Sequence, residues 1–251
     1  VSTASPAYRA CALIPTYENP TTVGEVVRAV AGHLPQIILV DDGSSAAGRD
    51  VCAGLAAEGL VTLVRQERNQ GKGAAVMNGM ALAHELGFTH AFQIDGDSQH
   101  DIAAVPGFLS ASRERPRDMV LGYPVYDETV PSARRWGRRL TNFWVGIEVG
   151  RSAKVTDAMI GFRVYPVLAA LASGTKARRM DFDVELLVRM VRMGLGVVNL
   201  PVSVRYLAAE EGGVSHYRPF VDNLRLSVMH TRLCVSGSLA WVSRRLWGGN
   251  Q

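Results

Sequence analysis

Three apolar runs, each ending in a polar loop and followed by helical spacing, constrain the fold of this chain more than any other feature. Cys11 to Ile14 stops at Pro15-Thr16-Tyr17-Glu18, and valines at 23, 26, 27 and 30 then recur at helical spacing over Val23 to His33. Gln36 to Val40 stops at Asp41-Asp42-Gly43-Ser44-Ser45, with a helix expected over Gly48 to Glu58. Leu60 to Val64 leads through Arg68-Asn69-Gln70-Gly71-Lys72-Gly73 into a helix over Ala74 to Leu86. A fourth run, Ala91 to Ile94, ends at Asp95-Gly96-Asp97. Short β-branched runs alternating with amphipathic helices predict an α/β fold with a doubly wound, mostly parallel sheet and helices on both faces. Ligands of such sheets sit beyond the carboxyl ends of the strands. The loops PTYE, DDGSS and DGDSQH are therefore expected to share one rim.

The last of these loops carries the most chemistry. In an extended segment residues i and i+2 point to the same side, so Asp95 and Asp97 can converge on one point across Gly96. Gln99 and His100 follow within a turn. An oxygen-rich set of this kind suits Mg²⁺ or Mn²⁺ held by one or two carboxylates plus substrate phosphates. The local pattern alone fits a solvated turn equally well.

Charge is unevenly distributed. Residues 1–130 hold 9 Lys+Arg against 15 Asp+Glu, whereas residues 131–251 hold 18 against 8. A basic second half points to phosphates or an anionic membrane surface. Nucleic acid is not expected, because no zinc finger, basic zipper or RNP-like motif occurs. Cys11, Cys52 and Cys234 are widely spaced, which fits packing residues in a reducing compartment rather than disulfides or zinc. No apolar run is long enough to span a bilayer, and VSTASPAYRA lacks the features of a signal peptide.

Beyond residue 101 the rhythm changes. A helix over Pro106 to Arg113 and a strand over Met119 to Tyr123 are expected. Trp136, Leu140, Phe143, Trp144 and Ile147 then recur at helical spacing behind four arginines, 134, 135, 138 and 139. This stripe suits a membrane interface or, as the commoner case, packing on the protein's own core. Asp157 to Arg163 reads as a loop entering a strand or helix. A helix is expected over Asp183 to Met193, an edge strand over Val197 to Val204 because of Pro201, and a long helical tail over Val221 to Trp247.

The absence of G-x-G-x-x-G after the first strand, of a Walker A loop at Lys72 and of a zinc-deaminase pattern excludes the common nucleotide-binding alternatives. PTYE, VDDGSS, NQGKGAA and DGDSQH, taken in order and spacing, resemble glycosyltransferase family 2, inverting enzymes of GT-A fold. DGDSQH, DAMIGFRVY and FDVELL resemble the polyprenyl- and dolichol-phosphate sugar synthases within it. The resemblance spans about residues 10–218 and implies a single GT-A domain. About 10–125 would bind the nucleotide-sugar, about 126–220 the acceptor, and 221–251 would form a helical, membrane-associated tail. It implies a nucleotide-diphosphate sugar donor, with Pro15, Thr16, Tyr17 and Glu18 lining its pocket, Asp42 on the nucleobase, and Lys72, Asp95 and Gly96 close by. Asp95, Asp97 and Gln99 would hold the Mg²⁺ or Mn²⁺. Arg163, Arg179, His216 and Arg218 would contact phosphates or acceptor.

The acceptor has two readings. A hydroxyl on a lipid, polyketide-like product or saccharide needs a general base, for which Asp157 and Asp183 are the candidates. Asp183 is also a plausible helix N-cap. A polyprenyl phosphate or other lipid phosphate is already anionic and needs cations to position it, which would put the enzyme on the cytoplasmic face of the membrane as a peripheral protein. A non-catalytic nucleotide-sugar-binding protein is the reading of a different class, and the intact D-G-D speaks against it.

Overall fold

A computed structural model describes residues 7–126, 132–205 and 219–247. Among these residues seven strands form one sheet in the order β3-β2-β1-β4-β6-β5-β7. The first half runs β1 (Ala10–Thr16), α1 (Val23–Ala31), β2 (Ile37–Asp41), α2 (Ala46–Ala57), β3 (Thr62–Arg65), α3 (Lys72–Glu85), β4 (His90–Ile94), α4 (Val105–Glu114) and β5 (Met119–Tyr126). The remainder runs α5 (Ser132–Val149), β6 (Phe162–Pro166), α6 (Val167–Ala172), α7 (Phe182–Arg192), β7 (Val197–Val204) and α8 (Pro219–Trp247). Among the described strands only β6 runs antiparallel to its neighbours.

The near-continuous apolar character of β1, β2 and β4 follows from their central position, since a parallel strand covered by helices is buried on both faces. Alternate residues separate cleanly. Cys11, Leu13, Ile38, Val40 and Ala91 pack toward α3 and α7. Ala12, Ile14, Leu39, Phe92 and Ile94 pack toward α1, α2 and α4. On the second face Phe92, Phe108 and Phe162 form an aromatic triad with centroids 4.8 to 5.5 Å apart. Each such ring contributes about 1.5–3 kcal/mol by leaving water. The triad fixes β6 and α4 beneath the end of β4.

Two local outcomes differ from the sequence reading and a third resolves one it left open. Helix α3 begins at Lys72, two residues earlier than its apolar spacing suggests, because the loop before it is held from both sides. The Asp157–Arg163 segment resolves into a loop followed by a strand, and a short unforeseen helix, α6, follows. The apolar stripe of α5 faces outward rather than into the core: Phe143 is 62% exposed and Ile147 52%, while Thr141, Val145 and Glu148 are buried. Val221, Leu224, Val228 and Val235 of α8, which packs beside α5, are exposed too. Pro201 lies in β7, the outer strand next to β5, as its missing N–H demands. No helix among the described residues is long and apolar enough to cross a membrane.

Candidate active site

Strand order reverses between β1 and β4: β2 and β3 lie on one side of β1, and β4 on the other. The crevice at such a reversal is where open α/β sheets bind ligands. Here it is flanked by Thr16, which ends β1, and by the Asp95–Asp97 loop that follows β4. Thr22 Oγ donates to the Gly96 carbonyl at 2.8 Å and joins the two loops.

The PTYE and DDGSS loops interlock. Glu18 takes a left-handed conformation, φ 53°. Its backbone N–H donates to Ser44 Oγ at 3.0 Å, and its carboxylate accepts from the Ser45 N–H and Oγ, both at 2.8 Å. Glu18 thus sits at the N-terminal end of α2 (Ala46–Ala57), where a negative charge is favoured. Asp41 accepts from the Ser44 N–H and pairs with Arg65. Asp42, expected on a nucleobase, is almost wholly buried, and its two carboxylate oxygens accept from the N–H groups of Gln70 and Gly71, each at 2.7 Å. Burial pushes its carboxyl up and these two amides pull it back, leaving it above the usual range.

The other side of the same loop is held by the segment before α7. Ala74 N–H donates to the Arg178 carbonyl at 3.2 Å, and Arg179 donates to Asn69 Oδ1 at 2.9 Å. Gly71 has φ +104°, and a Cβ on it would lie 2.4 Å from the Arg178 carbonyl oxygen. Only glycine satisfies both conditions. Pinned in this way, α3 starts at Lys72 and aims its ammonium into the crevice.

Lys72 Nζ lies 2.8 Å from Asp95 Oδ1 and 2.9 Å from Asp183 Oδ2. Burial works against its charge, but the two carboxylates outweigh it and hold the ammonium protonated far above neutral pH. Burial likewise works against an ionised Asp183, yet Lys72 and Arg163 prevail and keep its carboxyl below the usual range. Gln93 Nε2 donates to Asp183 Oδ1 at 3.0 Å. Arg163, expected on phosphates, is instead wholly buried inside the sheet layer. It donates to the Asp183 carbonyl at 2.8 Å and to the Ile160 carbonyl, so it supports the site from below. The cause is its register: Arg163 pairs with Gln93 across β4 and β6, deep in the sheet.

Asp95 is seated directly on Gly161, where a Cβ would come within 2.1 Å of Asp95 Oδ2. Gly96 has no such neighbour; a Cβ there meets Thr16 Oγ1 at an ordinary 3.4 Å. Burial pushes the Asp95 carboxyl up, Lys72 pulls it down, and Asp97 pushes it up again. Asp97 is partly exposed and accepts from the Gln99 N–H at 3.2 Å. The loop is stitched to β7, with the Gln99 carbonyl accepting from Arg205 N–H and the Asp101 N–H donating to the Ser203 carbonyl. The His100 ring lies tilted against Phe162, 5.3 Å between centroids, and its Nδ1 is buried without a hydrogen-bond partner. Asp95 and Asp183 share the Lys72 ammonium, Arg163 stands behind Asp183, and Asp97 adds a further carboxylate beside Asp95. Asp95 and Asp97, the two that are partly exposed, are the oxygen donors open to a divalent cation. Among the described residues no group of three or more His, Cys, Asp or Glu is gathered to hold a metal unaided. Mg²⁺ and Mn²⁺ sites completed by substrate phosphates need no such group.

Both candidate bases are committed elsewhere. Asp157 is 2% exposed. Its Oδ1 accepts from the N–H groups of Met159 and Ile160 at 2.9 and 2.8 Å, and its Oδ2 pairs with Arg138 at 2.7 Å. Asp183, equally buried, is the counter-ion of Lys72 and lies inside α7 rather than at its N-cap. His216 and Arg218 lie outside the described residues. Pro15 and Thr16 are buried at the end of β1, and Tyr17 is half-buried at the rim. Three residues of the site were not assigned to it from sequence: Gln93, Arg138 and Gly161. Gln93 carried a signal, as a lone amide inside an apolar strand must find a buried partner. Gly161 carried none beyond its place in DAMIGFRVY.

A crevice at a strand-order reversal, lined by a D-G-D loop, a buried lysine and polar strand ends, is the arrangement of an α/β transferase that binds a phosphorylated donor. The description of glycosyl transferase family 2 matches residues 11–185, more than half of the chain, and the chain belongs to that family. It is 26% identical over 214 residues to UDP-N-acetylglucosamine--dolichyl-phosphate N-acetylglucosaminyltransferase of Methanococcus voltae, covering 77% of this chain and 84% of that one. It is 27% identical over 210 residues to undecaprenyl-phosphate mannosyltransferase of Micrococcus luteus, covering 78% and 83%. Its fold is similar to that of glucosyl-3-phosphoglycerate synthase from Mycobacterium tuberculosis in complex with Mn²⁺, UDP-glucose and phosphoglyceric acid. That match has a TM-score of 0.64 at 17% identity and covers 91% of this chain and 80% of that one. The protein is therefore a family 2 glycosyltransferase that uses a nucleotide-sugar, with the fold expected of that family.

Proposed function

We propose that this enzyme transfers a sugar from a nucleotide-diphosphate sugar to a polyprenyl phosphate or related lipid phosphate, with inversion. The observation that carries the acceptor is the commitment of both candidate bases. Asp157 and Asp183 are each buried and bonded through both carboxylate oxygens. Asp183, held below the usual carboxylate range, is also a poor proton acceptor. A phosphate oxygen is already anionic and needs no deprotonation. The names of the curated relatives, which act on dolichyl and undecaprenyl phosphates, support the same reading.

In this proposal the PTYE residues Pro15, Thr16, Tyr17 and Glu18 line the nucleoside pocket, with Asp42 at its floor and Gly96 at its wall. Asp95, Asp97 and Gln99 would hold Mg²⁺ or Mn²⁺, which when bound supplies Lewis-acid neutralisation of the leaving diphosphate. Lys72 keeps Asp95 and Asp183 in place and adds positive charge where the leaving group develops negative charge. Arg179 stands exposed at the loop before α3 (Lys72–Glu85), within reach of a phosphate in the crevice, and His216 and Arg218 are assigned to the acceptor side. The outward apolar face of α5 and α8, set in the basic half of the chain, rests on the cytoplasmic surface of the membrane, where the acceptor resides.

The acceptor assignment is tested by offering a polyprenyl phosphate and the matching polyprenol with the same donor. Transfer to the phosphate alone supports it. Equal transfer to the alcohol means a base operates and the proposal is wrong. Vesicle flotation tests the membrane contact: Phe143→Asp with Leu224→Asp should abolish co-flotation with anionic vesicles while leaving the protein folded.

A further inference from the structure

Glu185 has no place in the chemistry above, yet it is a wholly buried carboxylate with a full set of donors. It lies in α7, two residues beyond Asp183, with no exposed surface. Four donors from three parts of the chain converge on it. The N–H groups of Lys176 and Ala177 donate to Oε2 at 3.2 and 2.7 Å. Arg189 Nε, one turn on along α7, lies 2.6 Å from Oε1, and Arg232 of α8 lies 2.7 Å from Oε2.

The two backbone bonds give this cluster a reach beyond packing. Lys176 and Ala177 immediately precede Arg178 and Arg179. The Arg178 carbonyl accepts from Ala74 N–H, and Arg179 bonds Asn69, so these two residues form the outer wall of the loop that launches Lys72. Asp42 grips the inner side of that loop through Gln70 and Gly71. Because a Cβ at Gly71 would already overlap the Arg178 carbonyl, the two segments have no slack between them. A shift of a few tenths of an ångström in residues 176–179 must pass to Lys72.

We infer that Glu185 is a positioning residue of the donor site: it anchors residues 176–179, which set the Asn69–Lys72 loop, and Arg232 ties this anchor to α8. The inference rests on the crevice being the donor site. It makes donor affinity depend on a carboxylate that touches neither donor nor metal, and on a helix that lies on the outer face of the fold.

The experiment uses UDP with Mn²⁺ as the probe, calorimetric titration for affinity, and amide hydrogen exchange for the loop without ligand. Three variants are compared with the parent chain. Glu185→Gln keeps the shape but loses the ion pairs. Arg232→Met removes only the α8 partner, at a side chain that is 40% exposed, and so should fold readily. Leu233→Ala is the packing control, being a buried α8 side chain that makes none of the four bonds to Glu185. Glu185→Gln should weaken UDP by about tenfold and Arg232→Met by about threefold, with faster exchange at residues 69–75 in both. Leu233→Ala should lower the melting temperature without either change. If Glu185→Gln and Arg232→Met lower only the melting temperature, as the control does, the inference is overturned. If Glu185→Gln does not fold, Arg232→Met decides alone by the same two readouts. Should the parent chain fail to bind UDP, the donor reading fails, and exchange at 69–75 still decides whether Glu185 sets the loop.

Discussion

Replacing Lys72 by methionine tests the central claim about the crevice. The ammonium lies 2.8 and 2.9 Å from two carboxylates, and its side chain is only 16% exposed against 3% for Asp183. At an effective dielectric constant of about 20 each contact has a gross attraction of about 6 kcal/mol, most of it offset by the cost of burying the ions. Methionine fills similar volume but leaves the buried Asp183 with only the more distant charge of Arg163 and the partly buried Asp95 without its ion pair, and removal of one partner of a buried pair costs about 3–5 kcal/mol. For a chain of this size that is a fall in Tm of roughly 10 °C near neutral pH. The loss should depend on pH. In the parent chain the depressed Asp183 carboxyl contributes stability that is present above its unfolded pKa and lost only as pH falls through its folded one. Lys72, raised, contributes stability that is complete below the unfolded lysine pKa. Without Lys72, burial dominates and the carboxyls rise above their unfolded values, so the variant loses stability as pH rises. The gap between variant and parent chain should therefore be wide at about pH 8 and narrower at about pH 5. Calorimetry at both pH values measures it. A Tm within about 2 °C of the parent chain's, or an identical gap at both pH values, would refute the buried-triad reasoning.

Other substitutions probe the same architecture. Gly161→Ala places a methyl group on Asp95 and should cut transfer by at least about a hundredfold, because ångström-scale misplacement costs that much; circular dichroism should remain that of the parent chain, and retained activity would mean Asp95 need not sit there. Asp42→Ala frees the amides of Gln70 and Gly71 in a buried setting and should cost about 1–3 kcal/mol in urea denaturation. Burial pushes the Cys11 and Cys52 thiols up to about 12, so neither should react with a disulfide reagent in the native protein at about pH 8, and both should react once it is unfolded.

Much of this fold was legible because its central strands are local signals. β1, β2 and β4 each combine a β-branched or apolar run with an abrupt polar end, and the structure brings those three ends to one rim. What was illegible depends on residues distant in sequence. The segment leading into β6 read as a loop entering a strand or a helix without deciding between them, because a five-residue strand holding an arginine is decided by its partners. Arg163 looked like a phosphate ligand by charge alone. Its alternation with Phe162 and Val164 on one side and Tyr165 on its own was the better guide, and it placed the guanidinium inside the sheet. The stripe of α5 was legible as a stripe, but its outward direction was only the less favoured of two readings, since periodicity gives a face and says nothing of what covers it. Asp157 and Asp183 were legible as acids. Their donors, Met159, Ile160, Arg138 and Lys72, are set by turns and helix starts that spacing does not reveal.

The position of β6 bears on how the chain must be made. β6 fills the sheet between β4 and β5, although both precede it in the sequence. Until residues 162–166 emerge, His90–Ile94 presents an unpaired, largely apolar edge, and β5 has nothing to join it to the rest of the sheet. Such an edge invites pairing with another chain. Synthesis at about 5–20 residues per second leaves it open for several seconds. A fragment ending near residue 126 would carry nearly every residue of the nucleotide pocket and still aggregate. It would also lack Gly161, the seat of Asp95, so the donor half could not serve as a separable binding module.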